Sequence, residues 1–185
     1  MKSNTKNKTG RIFFYSEISY VDKSLFIASD QQIWKEFYPE AEEAIPANAP
    51  DPEGKLVKVR AYADADKTGN LLKRLSHNGI IIYIQNSPIT WFSKRQNTVD
   101  TSSFGSEFIA LNITTEITEY LRYKLRTLTV PIDGPADFFC DNKSVVIKLS
   151  VPGSVLSKKY NSICYHRVQE DQTEGNIWVG CIEGK

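Results

Sequence analysis

From about residue 56 the chain alternates. In "LVKVRAYAD" (56–64) apolar and polar side chains take turns, the period of two that marks a strand with one buried face. "GIIIYIQ" (79–85) is rich in isoleucine, and "PITWFSK" (88–94) follows it after the turn-like "NSP", so the pair is expected to form a hairpin. Three strands in succession predict an antiparallel meander. Across 102–128 the period lengthens: Phe108, Leu111, Ile117, Leu121, Leu125 and Leu128 recur at roughly helical spacing. That predicts the longest helix of the chain, with the hydroxyl-rich "TSS" before it as a cap. "PADFFCD" (135–141) reads as a short strand ending on Asp141, with a helix opening at once in "NKSVVIKLS". "SKKYNSICYHRVQED" reads as a further helix and "GNIWVGCI" as a last strand. The order βββαβααβ implies an α/β fold, one mixed sheet flanked by helices.

Residues 1–54 follow no such pattern and read as a tether. Proline, alanine and acidic residues crowd its end, and proline interrupts any helix that starts there. Phe13, Phe14, Tyr15, Trp34, Phe37 and Tyr38 are nonetheless many aromatics for a disordered linker. The segment is expected to lack a core of its own and to pack against a domain, its own or a neighbour's.

Composition adds bounds. A chain of 185 residues with 41% hydrophobic and 24% charged side chains suits one domain and a tail. No apolar run is long enough to span a bilayer, and "MKSNTKNKTGR" lacks the apolar stretch of a secretory signal, so an intracellular protein with no membrane partner is expected. Cys140, Cys164 and Cys181 form no CxxC pair, which argues for reduced core thiols rather than disulfides or zinc. The net charge of +1 makes no global case for a polyanion, so nucleic-acid binding has to rest on a local face.

Candidate chemistry lies in acids at element ends. Asp64 closes the first strand with Asp66 just beyond it, Glu107 falls in the first turn of the long helix, and Asp141 ends a strand. Ligands gather at such ends in open α/β sheets. Each acid also has an ordinary explanation. Asp66 suits a turn, Glu107 the positive end of a helix, and Asp141 a cap for the helix that follows.

Four stretches bear on that choice. "AYADADKTG", "PITWFSKRQNTVDTSSFGSEFIAL", "FFCDNKSVV" and "NSICYHRVQE" resemble, in order and spacing, the ribonuclease H domain of copia-type LTR retrotransposon Pol polyproteins. The resemblance runs from about Val57 to Gly180, and "KEFYPEAEEAIPANAPDPEGK" looks like the segment connecting reverse transcriptase to that domain. It divides the chain into 1–54, connecting segment, and 55–185, a ribonuclease H-like domain. It implies a five-stranded mixed sheet with its first three strands antiparallel, and hydrolysis of the RNA strand of an RNA–DNA hybrid. Carried over by position, the catalytic and metal-binding acids are Asp64, Glu107 and Asp141, with Asp66 the lesser candidate. They would hold Mg²⁺, or Mn²⁺ in its place, as two ions about 3.5–4 Å apart. The implied partners are the hybrid and the reverse transcriptase domain of the same polyprotein.

Lys94, Arg95, Gln96, Asn97 and Ser103, with Thr98, would suit phosphate and sugar contacts on the approach to Glu107; the alternative is a solvated surface. Asn142 suits a substrate contact or a helix cap equally. Trp91, Phe92 and Tyr83 read as core rather than a stacking platform, and His166 and His77 give no basis for a histidine metal site. The resemblance also implies a fourth carboxylate on a helix after the last strand. Here "NIWVG" is followed only by "CIEGK", and Glu183 stands too near the strand to replace it. Two outcomes are open: a nuclease weakened by that loss, or a catalytically silent remnant that only binds hybrid or a polymerase partner.

Overall fold

The computed structural model describes residues 21–26, 31–66, 75–96, 103–151 and 159–182. Asn97, Thr98, the cap expected at 101–102, Phe13, Phe14, Tyr15 and Glu183 lie outside these residues. The strands are β1 (Val59–Asp66), β2 (His77–Ile84), β3 (Ser87–Arg95), β4 (Ala136–Cys140) and β5 (Ile177–Cys181). The helices are α1 (Gln31–Phe37), α2 (Ser103–Thr127), α3 (Lys143–Leu149) and α4 (Lys159–Glu174). The strands and helices expected from residue 56 onward are present in the expected order, with β1 running 59–66 rather than 56–64.

One five-stranded sheet runs in the order β3-β2-β1-β4-β5. β1, β2 and β3 are antiparallel, while β4 runs parallel to β1 and β5 parallel to β4. The hairpin turns at Gln85 and Asn86, with Gln85 at φ +56°. Bonds from its backbone N–H to Lys58 O (2.8 Å) and from its side chain to Leu56 O (2.9 Å) hold it there.

The alternation of β1 works as its sequence implies. Ala61, Ala63 and Ala65 face the core beside Ile80, Ile82, Phe138 and Val179. These small side chains let α2 lie close to β1, and α4 packs in turn on α2 and β5. Five of the six expected apolar positions of α2 face the core, Ile117 and Leu121 only partly buried, but they do not make up its buried stripe alone. Thr114, Thr115, Thr118 and Arg122 are buried alongside Phe108, Leu111 and Leu125, whereas Leu128 lies past the helix end and is 67% exposed. Small hydroxyl side chains suit the close helix contact, and the Thr114 hydroxyl donates to Ala110 O at 2.7 Å within its own helix.

The opposite sheet face carries Tyr62, Tyr83, Phe139 and Trp178. Part of the upstream segment covers it. Phe26 packs against Phe139 and Trp178, with centroids 5.5 and 6.1 Å apart, and bridges Gly180 of β5. A β-carbon at Gly180 would meet the Phe26 ring at 3.0 Å and Leu25 O at 3.1 Å, so this close approach requires glycine.

A short helix does form upstream, contrary to expectation. α1 stops at Phe37 because Pro39 disfavours helical backbone at Tyr38. Trp34 is buried, the Tyr38 hydroxyl hydrogen-bonds His166 Nδ1 (2.7 Å) and Gln169 Oε1 (3.0 Å), and Glu43 pairs with Arg122 and Arg126. The described upstream residues thus pack on this chain's own domain. Cys140, Cys164 and Cys181 are free thiols.

Candidate active site

Parallel register brings the first two acids together. Tyr62 of β1 lies opposite Phe139 of β4. Two residues further along, Asp64 and Asp141 therefore leave the same end of the sheet side by side and toward the same face. α2, held close over the alanines of β1, delivers Glu107 to that end. One carboxylate oxygen from each of Asp64, Glu107 and Asp141 lies within 4.8 Å of the others.

The ordinary explanations for these acids weaken on inspection. Glu107 lies beyond the first turn of α2, which contains no acid, so helix-end electrostatics do not account for it. Asp141 does not cap α3. Asn142 does, its side chain accepting from Ser144 N (3.1 Å) and Val145 N (3.4 Å). Asp64 stands two residues before the end of β1, and Asp66, not a turn residue, is its last.

The cluster is electrostatically strained. Glu107 is 5% exposed, and burial, then the charges of Asp64 and Asp141, push its pKa up to about 8. Burial and then Asp141 raise Asp64, with Asp66 adding to the effect. The Ala65 backbone N–H partly offsets both shifts. Glu107 Oε2 is buried with no hydrogen-bond partner among the described residues. Three converging hard carboxylates that repel one another when ionised, one of them with an oxygen that lacks a partner, fit a divalent cation.

Beside them lies a cleft of about 420 Å³ whose wall includes Tyr62, Ile81, Trp91, Phe139, Asp64 and Asp141. Trp91, expected in the core, is 74% exposed there. Alternation along β3 sends Phe92 to the core side and Trp91 to the open one. Lys94, Arg95 and Ser103 are exposed at the same end. Arg95 pairs in register with His77, and His77 with Asp66.

Gln96 does not join that surface. It is 4% exposed, and its amide donates to Asn78 Oδ1 and to Ser106 O, a correction to its expected phosphate contact. The oxygen of Asn142 is likewise engaged in the helix cap. A second carboxylate group, Glu119, Asp171 and Glu174, escaped the sequence reading because two helices supply it. Arg167 pairs with Glu119, and the Asn176 amide donates to Asp171 and Glu174. This network ties α2 to α4.

No family model matches the chain. It is 28% identical over 127 residues to the retrovirus-related Pol polyprotein from transposon RE2 of Arabidopsis thaliana, and equally to that from transposon RE1. Each match takes in 69% of this chain but only 9% of the relative, so the chain spans under a tenth of the length of these relatives. Among solved structures, ribonuclease H1 of the halophilic archaeon Halobacterium salinarum superposes with a TM-score of 0.50 at 14% identity, covering 68% of this chain and 86% of that one. The fold is ribonuclease H-like, and transposon Pol polyproteins are among the sequence relatives.

Proposed function

We propose that the chain is a ribonuclease H-type endonuclease of a retroelement, hydrolysing the RNA strand of RNA–DNA hybrids formed in reverse transcription. The observation that carries this reading is the convergence of Asp64, Glu107 and Asp141 to within 4.8 Å, from three separate elements. The similarity to transposon Pol polyproteins supports it and makes a reverse transcriptase domain the natural partner. In this reading residues 1–54 are the connecting segment and 55–185 the nuclease unit.

Asp64, Glu107 and Asp141 would hold Mg²⁺, or Mn²⁺ in its place. When bound, such ions supply Lewis-acid activation of a water and stabilisation of the leaving 3′ oxygen. The residues themselves contribute position and charge. Asp64 and Asp141 are exposed and would face the substrate. Glu107 is the buried member, where burial and the charges of Asp64 and Asp141 favour its protonated form, so a cation held there would be bound with release of a proton. Arg95 stands in the same register row as Asp66, two strands away, or about 10 Å at ~4.8 Å per strand. In this reading Arg95 would meet a hybrid's phosphates on the carboxylate face, while Lys94, one residue earlier on β3, would approach from the other face and Ser103 from the start of α2.

The test is a labelled RNA–DNA duplex incubated with Mg²⁺ or Mn²⁺. Cleavage of the RNA strand that falls to background in Asp64→Asn and Asp141→Asn supports the reading. Cleavage surviving both changes ends it, and salt-sensitive hybrid binding without turnover favours a silent remnant.

A further inference from the structure

Glu107 is the buried member of the carboxylate group and comes from a helix, whereas Asp64 is in β1 and Asp141 directly follows β4. Where its carboxylate sits depends on how the start of α2 is tied to the strands. Gln96 makes such a tie. Its backbone N–H donates to Ser76 O at 2.8 Å, which extends the β2–β3 pairing one residue past β3. Its side-chain amide donates to Ser106 O at 2.9 Å and to Asn78 Oδ1. A backbone carbonyl can only accept, so the contact with Ser106 sets which way the amide faces.

Both acceptors adjoin the site. Ser106 precedes Glu107, is fully buried, and its hydroxyl donates to Ser103 O at 2.8 Å. Asn78 is buried on β2 and stands opposite Ala65, whose N–H acts on the carboxylates of both Asp64 and Glu107. The chain of contacts therefore closes on itself: Asp64 and Ala65, Asn78 across the strand pair, Gln96, Ser106, then Glu107.

We propose that Gln96 is a positioning residue that sets the separation of Glu107 from Asp64 and Asp141. This deepens the nuclease reading, on which only its catalytic consequence rests. Removing the donor takes one hydrogen bond each from Asn78 Oδ1 and Ser106 O. α2 then loses this polar link to β2, and the three oxygens lose their common spacing.

Two variants test this. Gln96→Met keeps the volume without a donor, and Gln96→Glu keeps the shape but cannot donate when ionised. Cation binding is measured by Mg²⁺ and Mn²⁺ calorimetry, the site by the Glu107 carboxyl-carbon NMR signal in metal-free protein, and turnover on the hybrid. We expect cation affinity to fall roughly 10- to 100-fold, as for other residues that orient ligands. The metal-free Glu107 signal should move, and kcat should drop while KM for hybrid stays within about twofold.

Unchanged affinity together with an unmoved Glu107 signal overturns the proposal. So does a rise in KM alone, which would make Gln96 a substrate contact. If wild-type protein neither binds cation nor cleaves, the nuclease reading fails, and the metal-free Glu107 signal still decides the role of Gln96. Should neither variant fold, the wild-type Gln96 side-chain amide decides: slow proton exchange sustains the tie, and fast exchange overturns it.

Discussion

Arg122, in the last two turns of α2, holds Glu43 of the upstream segment at 2.9 Å, with only 4% of the arginine side chain exposed. Arg122 also donates to Gly134 O at 2.8 Å, and Arg126 takes the other Glu43 oxygen. Burial lowers the Arg122 pKa and Glu43 opposes that shift. A residue outside the sheet-and-helix unit thus neutralises a charge inside it. Glu43→Gln should leave that guanidinium buried without its counter-charge and destabilise the protein by about 3 kcal/mol. Urea unfolding measures this, and a loss near zero would mean water already solvates Arg122.

The contact between Phe26 and Gly180 yields a second prediction. Because a β-carbon there would lie 3.0 Å from the ring, Gly180→Ala should push Phe26 off Phe139 and cost about 1–3 kcal/mol. Phe26→Ala should absorb most of that penalty. A double-mutant cycle by thermal unfolding checks this, and additive effects would mean the two residues are not coupled.

The carboxylate group makes metal-free stability depend on pH. The Glu107 pKa is raised from 4.5 to about 8 in the folded state. At low pH the carboxyl is protonated in both states and contributes nothing. As pH rises through 4.5 the unfolded chain releases its proton while the fold retains it, so stability falls, and the loss is complete above about 8. Urea titrations in chelator should show this decline. Glu107→Gln should flatten it, and Mg²⁺ should restore stability most at the alkaline end.

Two tryptophans should respond in opposite ways. Trp34, buried although it lies in the upstream segment, should cost about 3–5 kcal/mol when changed to alanine. Trp91→Ala, on the open face of the cleft, should change stability by less than about 0.5 kcal/mol. Fluorescence-monitored unfolding of the two variants makes the comparison.

The elements themselves were legible along the chain, because alternation in β1, the isoleucines of β2 and the long helical period of α2 are local signals of burial. The motifs also named Asp64, Glu107 and Asp141, through their resemblance to a known domain; pattern alone put them near element ends and left turn, cap and helix-end roles open. What sequence could not resolve was which neighbour a side chain meets across the fold. Gln96 and Lys94 look alike in "SKRQN", yet one is enclosed between α2 and β2 while the other is exposed. Trp91 and Phe92 are adjacent aromatics sent to opposite faces. Glu43 gains its role only when its segment folds back onto α2. Local periodicity reports that a residue is buried or turned outward, but the convergence of three carboxylates depends on parallel register between strands far apart in the chain. Tertiary packing alone supplies that register.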